Sequence, residues 1–225
     1  MELSQPHLTR QYDLIPIEAL NMPVTIIGAG AIGSSVALWC AKLGLTDISV
    51  WDHDTVAIEN VSCQLYGRAH IGMAKVDALK QIVRELSNGT EIKAHNSMWF
   101  PDPNLTKGIV VLAVDCMETR EKIFKKIGED HFGVTLVIDS RMGAETALMY
   151  AMRPHDTRDR ESYKKTLYKN EDAVQEPCTG KATGYTSTLL SGWVVKTIKN
   201  IITKQPYPRV TMWNIRDNAM QVYNG

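Results

Sequence analysis

Cysteine is scarce and scattered in this chain: four in 225 residues, at positions 40, 63, 116 and 178, with no CxxC pair among them. That spacing argues against both a structural zinc site and a disulfide framework, so reduced thiols are expected. Long apolar runs are missing as well. No stretch approaches the roughly 20 residues of a membrane span, and the polar segment 1–10 lacks a secretory apolar region, so no membrane partner and a cytoplasmic location are expected. Charge of one sign is also absent: 25 Lys and Arg balance 25 Asp and Glu. The formal charge of zero gives no electrostatic support for a nucleic-acid partner. Neither an internal repeat nor a low-complexity tract occurs. What remains is ordinary globular composition, 44% hydrophobic and 22% charged, long enough to bury a full core, and residues 1–225 are expected to form a single domain.

Against this plain background one stretch stands out. The apolar run Val24 to Ile27 leads into Gly28, Gly30 and Gly33 at GxGxxG spacing, and then into a helical pattern from Ser34 to Leu43. The three glycines have separate expected tasks. Gly28 allows a tight turn, Gly30 lets backbone approach a phosphate, and Gly33 lets the helix sit close to the strand. The helix N-terminus then offers unpaired N–H groups and a positive dipole end to an anion. A second apolar run, Ile48 to Trp51, ends at Asp52, where a βαβ unit places a carboxylate on ribose hydroxyls.

Strand and helix signals continue to alternate. Lys75 to Leu86 carries a helical stripe of Val76, Leu79, Ile82, Val83 and Leu86. Strands are expected at 91–94, at 109–114 (a continuous apolar run) and at 134–138, with an antiparallel one at 145–152. The charged segment 153–177 reads as a long crossover loop within the domain. A helix over 187–202 follows, stopped by Pro206 and Pro208, and the tail 209–222 is expected to add one edge strand. The predicted fold class is α/β: Rossmann-like, a mostly parallel doubly wound sheet with helices on both faces and a C-terminal antiparallel extension.

Beyond the glycine loop, six segments in collinear order resemble the ThiF/MoeB/HesA family, adenylyltransferases related to ubiquitin-activating enzymes. They are Thr9-Arg10-Gln11 with Leu14; GAGAIG with DHDTV at 52–56; NVSCQ at 60–64 with GMAK at 72–75; VDCMETR at 114–120; Cys178-Thr179; and Trp193 with Lys196. The resemblance implies that ATP activates the C-terminal glycine of a small ubiquitin-like or sulfur-carrier protein ending in Gly-Gly as an acyl-adenylate, releasing pyrophosphate. It also implies a homodimer. Residue roles follow from the same match. Lys75 would neutralise phosphate, Arg10 resembles the arginine that the family supplies across a dimer interface, and Asp115 would hold Mg²⁺. Asn60 and Gln64 would line the nucleotide, and Asp52 would take the ribose.

Two cysteines bear on the chemistry. Cys63 stands where the family usually has an arginine, and Arg68, five residues on, is expected to substitute if the loop bends back. Cys178, beside Lys181 and ahead of a helix, is a candidate nucleophile toward the acyl-adenylate. Cys40 and Cys116 read as structural. Without the family match Lys75 would read as a solvated surface lysine. Two other functions remain open on these residues. GxGxxG plus Asp52 would serve an NAD-dependent oxidoreductase, although little chain is left for a substrate domain. A catalytically impaired scaffold subunit of a dimer would account for Cys63.

Overall fold

The computed structural model describes residues 6–11, 13–130, 133–168 and 182–224. Its central element is one eight-stranded sheet in the order β3-β2-β1-β4-β5-β6-β7-β8. The strands are β1 (Val24–Ile27), β2 (Ile48–Asp52), β3 (Lys93–Asn96), β4 (Gly108–Leu112), β5 (Val134–Gly143), β6 (Thr146–Met152), β7 (Val210–Asn214) and β8 (Ala219–Tyr223). The first five pair in parallel, and β5 to β8 pair antiparallel. Among the described residues five α-helices accompany them: α1 (Ala31–Leu43), α2 (Lys75–Leu86), α3 (Met117–Asp130), α4 (Thr157–Lys164) and α5 (Gly184–Ile202).

Period-2 alternation decides which strand residues meet which helices. Val24, Ile26, Ile48, Val50, Ile109 and Val111 join α1, α2 and α5 in one core. Their neighbours Ile27, Val110 and Leu112 join α3 and Tyr163 of α4 in the other. The β1 and β4 strands, Val24↔Ile109 through Ile27↔Leu112, are buried on both faces, so they read as unbroken apolar runs. Because β1 continues outward to β2 while the chain returns from β3 to β4, the strand order reverses between β1 and β4. The carboxyl ends at such a reversal form the crevice where open α/β sheets bind ligands.

The expected class, with its antiparallel extension, is the one observed. Helix α2 has the expected limits, while several other limits shift. The third strand lies at 93–96, two residues later than expected, and β4 leaves the ladder at Leu112, so Asp115 sits at a bend three residues beyond it. The fifth strand runs on to Gly143, and α5 begins three residues early, at Gly184, where the Thr183 hydroxyl caps its N-terminus. Helix α3, which the periodicity reading left unassigned, covers β4 and β5.

Two expectations need correction. Residues 153–177 are not one long loop: Thr157–Lys164 is helical, with Asp156 at its N-cap accepting from the Arg158 and Asp159 N–H groups. The dense charge that made the segment look like a loop is used internally. Asp159 is buried and accepts from the Arg153 N–H (2.9 Å), the Arg153 guanidinium (3.2 Å) and both terminal nitrogens of Arg209. The tail adds two strands rather than one, because Asp217 and Asn218 turn the chain back and β8 lies outside β7 with all five residues exposed.

Candidate nucleotide site at the sheet reversal

The glycine loop fills the crevice between β1 and β4, and each glycine is held there for a different reason. Gly28 has φ +99°, and a Cβ on it would lie 2.5 Å from the Ala113 carbonyl oxygen. A Cβ on Gly33 would lie 1.8 Å from the Gly28 carbonyl oxygen, so α1 reaches the strand only with glycine there. Gly30 has ordinary backbone angles, φ −75° and ψ −151°, and its missing Cβ faces nothing within 4 Å. Nothing within the described residues therefore requires glycine at 30 on steric grounds.

Asp52 ends β2, and its carboxylate braces this loop. One oxygen accepts from the Ala29 N–H at 2.6 Å and the other from the Asp54 N–H at 2.8 Å. Tyr66, buried, donates its hydroxyl to the Ala29 carbonyl at 2.6 Å. Burial, with the Asp52 charge adding to it, pushes the Tyr66 phenol far up, which keeps it a neutral donor. The sequence carried no signal for Tyr66 beyond its being an aromatic residue between two turns.

Lys75 opens α2 and is not a solvated surface lysine. It is 8% exposed, and its ammonium lies 2.8 Å from the Asp54 carboxylate. The pairing is built into the backbone as well, since the Lys75 N–H bonds the Asp54 carbonyl and the Val56 N–H bonds the Met73 carbonyl. The hydrogen bond from Lys75, chiefly, holds the Asp54 carboxyl below the usual carboxylate range. An ammonium has three donors, so two remain after Asp54 is served. Asn60 turns its side-chain oxygen inward to the Ala57 N–H at 2.9 Å. That leaves its amide NH₂ as the group able to meet a phosphate or ribose oxygen.

Asp115 is exposed and has no hydrogen-bond or ion-pair partner among the described residues. Asp52, His53 and Asp54 also bring three ligand atoms within 4.8 Å of one another. Asp54 is committed to Lys75 and Asp52 to backbone N–H groups, so Asp115 is the carboxylate best able to take a cation. Gln64 lies on the same connection as Asn60, and its side-chain oxygen is buried with no partner. Cys63 is half-buried, and its thiol lies 3.8 Å from the Glu59 carbonyl. Arg68 is exposed on the short 3-10 turn Arg68–His70, and nothing in the structure ties it to the glycine loop. Cys178 and Lys181 lie outside the described residues. Cys40, fully buried in α1, has its thiol pushed up to about 12 by burial, which makes it the inert core residue expected.

Arg10 is not brought to the loop. Its 3-10 turn, Pro6–Gln11, packs at the opposite end of α1, where Gln11 bonds the Lys42 carbonyl at 3.2 Å and Leu8 abuts Gly44. The length of a 13-residue helix, about 20 Å, separates that turn from the glycine loop. A groove of about 440 Å³ lined by Gln11, Trp39, Lys42 and Val195 lies at that far end and takes no part in the crevice.

An α/β sheet whose glycine loop, β2-terminal carboxylate and buried lysine gather at its reversal point places the protein in the Rossmann-like class. More particularly, this chain belongs to the ThiF family, whose match spans residues 17–224. Among curated relatives, the adenylyltransferase and sulfurtransferase MOCS3 of Culex quinquefasciatus is 32% identical over 102 residues, covering 43% of this chain and 23% of the relative. The ubiquitin-like modifier-activating enzyme 5 of Caenorhabditis briggsae is 27% identical over 96 residues, covering 43% and 21%. The matched stretch is thus under a quarter of those relatives' length. Among solved structures, E. coli MccB with AMPCPP and MccA superposes with a TM-score of 0.74 at 13% identity, covering 98% of this chain and 72% of that one. PaaA superposes with a TM-score of 0.72 at 17% identity, covering 92% and 65%. At such identities the likeness is one of fold.

Proposed function

We propose that this chain is an adenylyltransferase that uses ATP to activate the C-terminal carboxylate of a small protein or peptide, a ubiquitin-like or sulfur-carrier protein ending in Gly-Gly. The observation that carries the reading is the crevice between β1 and β4. There a glycine with no steric reason of its own, a helix N-terminus, the Asn60 amide and the Lys75 ammonium stand on one side, and the unpartnered Asp115 on the other. In the reaction a carboxylate oxygen of the carrier attacks the α-phosphorus of ATP, the bond to the bridging oxygen of the β-phosphate breaks, and pyrophosphate leaves. Negative charge gathers on the transferring phosphoryl group, and Lys75, fixed by its buried stem and by Asp54, meets it without reorganising. Asp115 would hold Mg²⁺, which would supply positive charge to offset that of the phosphates.

Arg10 enters this reading only through a second copy. Its place at the far end of α1 keeps it from its own glycine loop, so a homodimer that sets one protomer's turn against its partner's crevice is part of the proposal. The relatives' names support the reaction type, since MOCS3 is an adenylyltransferase and the C. briggsae relative a modifier-activating enzyme. An NAD-dependent oxidoreductase leaves Lys75 and Asp115 without a task. The impaired-scaffold alternative rests on one residue, Cys63.

Exchange of labelled pyrophosphate into ATP, with a candidate carrier ending in Gly-Gly present, tests the proposal. Carrier-dependent exchange is expected. NADH binding without exchange favours the oxidoreductase, and neither activity favours the scaffold.

A further inference from the structure

Below the carboxyl end of β4 lies a buried charge network. Asp139, on β5 beside Leu112 of β4, is fully buried. Its carboxylate accepts from the Arg120 guanidinium, from Arg141 Nε at 2.7 Å and from the Tyr163 hydroxyl at 2.9 Å. Arg120, on α3 and 5% exposed, also donates to the Ser140 carbonyl at 3.1 Å and to the Val114 carbonyl. Val114 immediately precedes Asp115. On the other side Arg141 donates to the Thr166 carbonyl at 2.8 Å and to its hydroxyl at 3.1 Å, with its guanidinium 4.7 Å from the Tyr150 ring centre. A continuous path therefore runs from the end of α4 through Arg141, Asp139 and Arg120 to the backbone that carries Asp115.

Burial of two guanidinium groups and one carboxylate is costly unless every group is bonded, and such a network adds little stability over an apolar core of the same volume. What it supplies is a fixed geometry. Beyond Leu112 the Ala113 N–H still bonds the Ile27 carbonyl of β1, and Arg120 adds a grip on the next carbonyl, that of Val114.

We propose that Arg120 and Asp139 are positioning residues for Asp115, and that Arg141 couples that position to Thr166 at the end of α4. The inference rests on the nucleotide-site reading, with the metal–ATP complex as the ligand that Asp115 meets. Positioning and plain electrostatics predict opposite signs for one substitution. Asp139→Asn removes a negative charge from behind a phosphate site, which alone would tighten ATP binding. Loss of positioning weakens metal–nucleotide binding, and outer-shell groups of this kind carry about 10-fold or more in metal affinity.

The test is binding of Mn²⁺ with ATP to the full chain, followed by the Mn²⁺ resonance signal well below each variant's melting temperature. Arg120→Lys, which keeps the charge but not the fork, and Asp139→Asn are expected to weaken Mn·ATP binding about 10-fold. Thr166→Val, which removes the hydroxyl that accepts from Arg141 and donates to the Tyr163 carbonyl, leaves the bond from Arg141 to the Thr166 carbonyl in place and is expected to weaken Mn·ATP binding about 2-fold. Lower melting temperatures with unchanged Mn·ATP affinity, or tighter binding by Asp139→Asn, would overturn the proposal. A wild-type chain that takes up no Mn·ATP overturns the nucleotide-site reading, and this inference with it.

Discussion

Gly28, Gly30 and Gly33 look alike in sequence and differ in what they tolerate. At 33 an added methyl meets backbone at 1.8 Å, so Gly33→Ala must push α1 away from β1 and is expected to destabilise by about 1–3 kcal/mol, the range for overpacking. At 30 the same methyl meets nothing. Gly30→Ala is expected to melt with the wild type, within about 0.5 kcal/mol, yet to lose ATP binding. Urea unfolding together with ATP titration of both variants checks the pair; equal effects on stability would contradict the assignment. The Lys75–Asp54 pair has a similar divided character, because the lysine is buried and the aspartate is not. Lys75→Gln is expected to lower carrier-dependent pyrophosphate exchange by about 10²- to 10³-fold, as loss of a fixed transition-state donor does. The glycines at 28, 30 and 33 and Asp52 were legible because their chemistry is tied to a spacing, whereas Lys75 was singled out only by the family resemblance. Tyr66 was not, since a hydroxyl that returns to a loop 37 residues earlier leaves no periodic trace. Asp139 was closer to legible: like Asp115, it is a carboxylate that closes an apolar run, and what the sequence did not show is that Asp139 is buried while Asp115 is exposed.

At the level of elements, the parallel half of the sheet was readable because doubly buried strands are written as continuous apolar runs. The C-terminal half was harder. Helix α4 buries only two of its residues, the apolar Tyr163 and the charged Asp159, so no 3.6-residue stripe announces it. Asp159 is what docks it. The carboxylate is buried and serves Arg153 and Arg209 together, which ties α4 to the end of β6 and the start of β7. Asp159→Asn keeps the shape and removes the charge, and is expected to cost about 1.5–3 kcal/mol, the range for hydrogen bonds to charged groups. A lower urea midpoint with an unchanged slope is the expected signature, and an unchanged midpoint would mean that α4 is docked by Tyr163 alone. A second element carries a pH signature. His95 of β3 stacks on Trp51 of β2 at 4.0 Å, and burial, then Lys93, holds its imidazole below the ordinary value of 6.5. The folded protein thus prefers the neutral ring, and that contribution is complete above about 6.5 and lost as pH falls through the lowered folded value. Between pH 6.5 and 5, stability is expected to fall more steeply in the wild type than in His95→Phe.

For the whole molecule the decisive fact is the strand order. Reversal between β1 and β4 puts the glycine loop and Asp115 on facing lips of one crevice, while the turn carrying Arg10 is left about a helix length away. If two copies complete each other, mixing an Arg10→Ala chain with a Lys75→Ala chain restores one intact site in every mixed dimer. Equal amounts that exchange freely are then expected to regain about a quarter of wild-type exchange activity from two inactive parents. No recovery, with dimers confirmed by light scattering, would remove Arg10 from the partner's site.

The sheet also ends differently on its two sides. The outer strand β3 is four residues long and carries Lys93, whose ammonium reaches back 2.7 Å to Asp47 of the neighbouring loop. At the opposite side β8 presents Met220, Val222 and Tyr223 to solvent without a lysine or proline along it. Charge and shortness discourage further pairing, and their lack permits it. The molecule is therefore guarded against growth in one direction only. Lysine placed at Met220 would be the least invasive way to keep concentrated stocks from associating through that side.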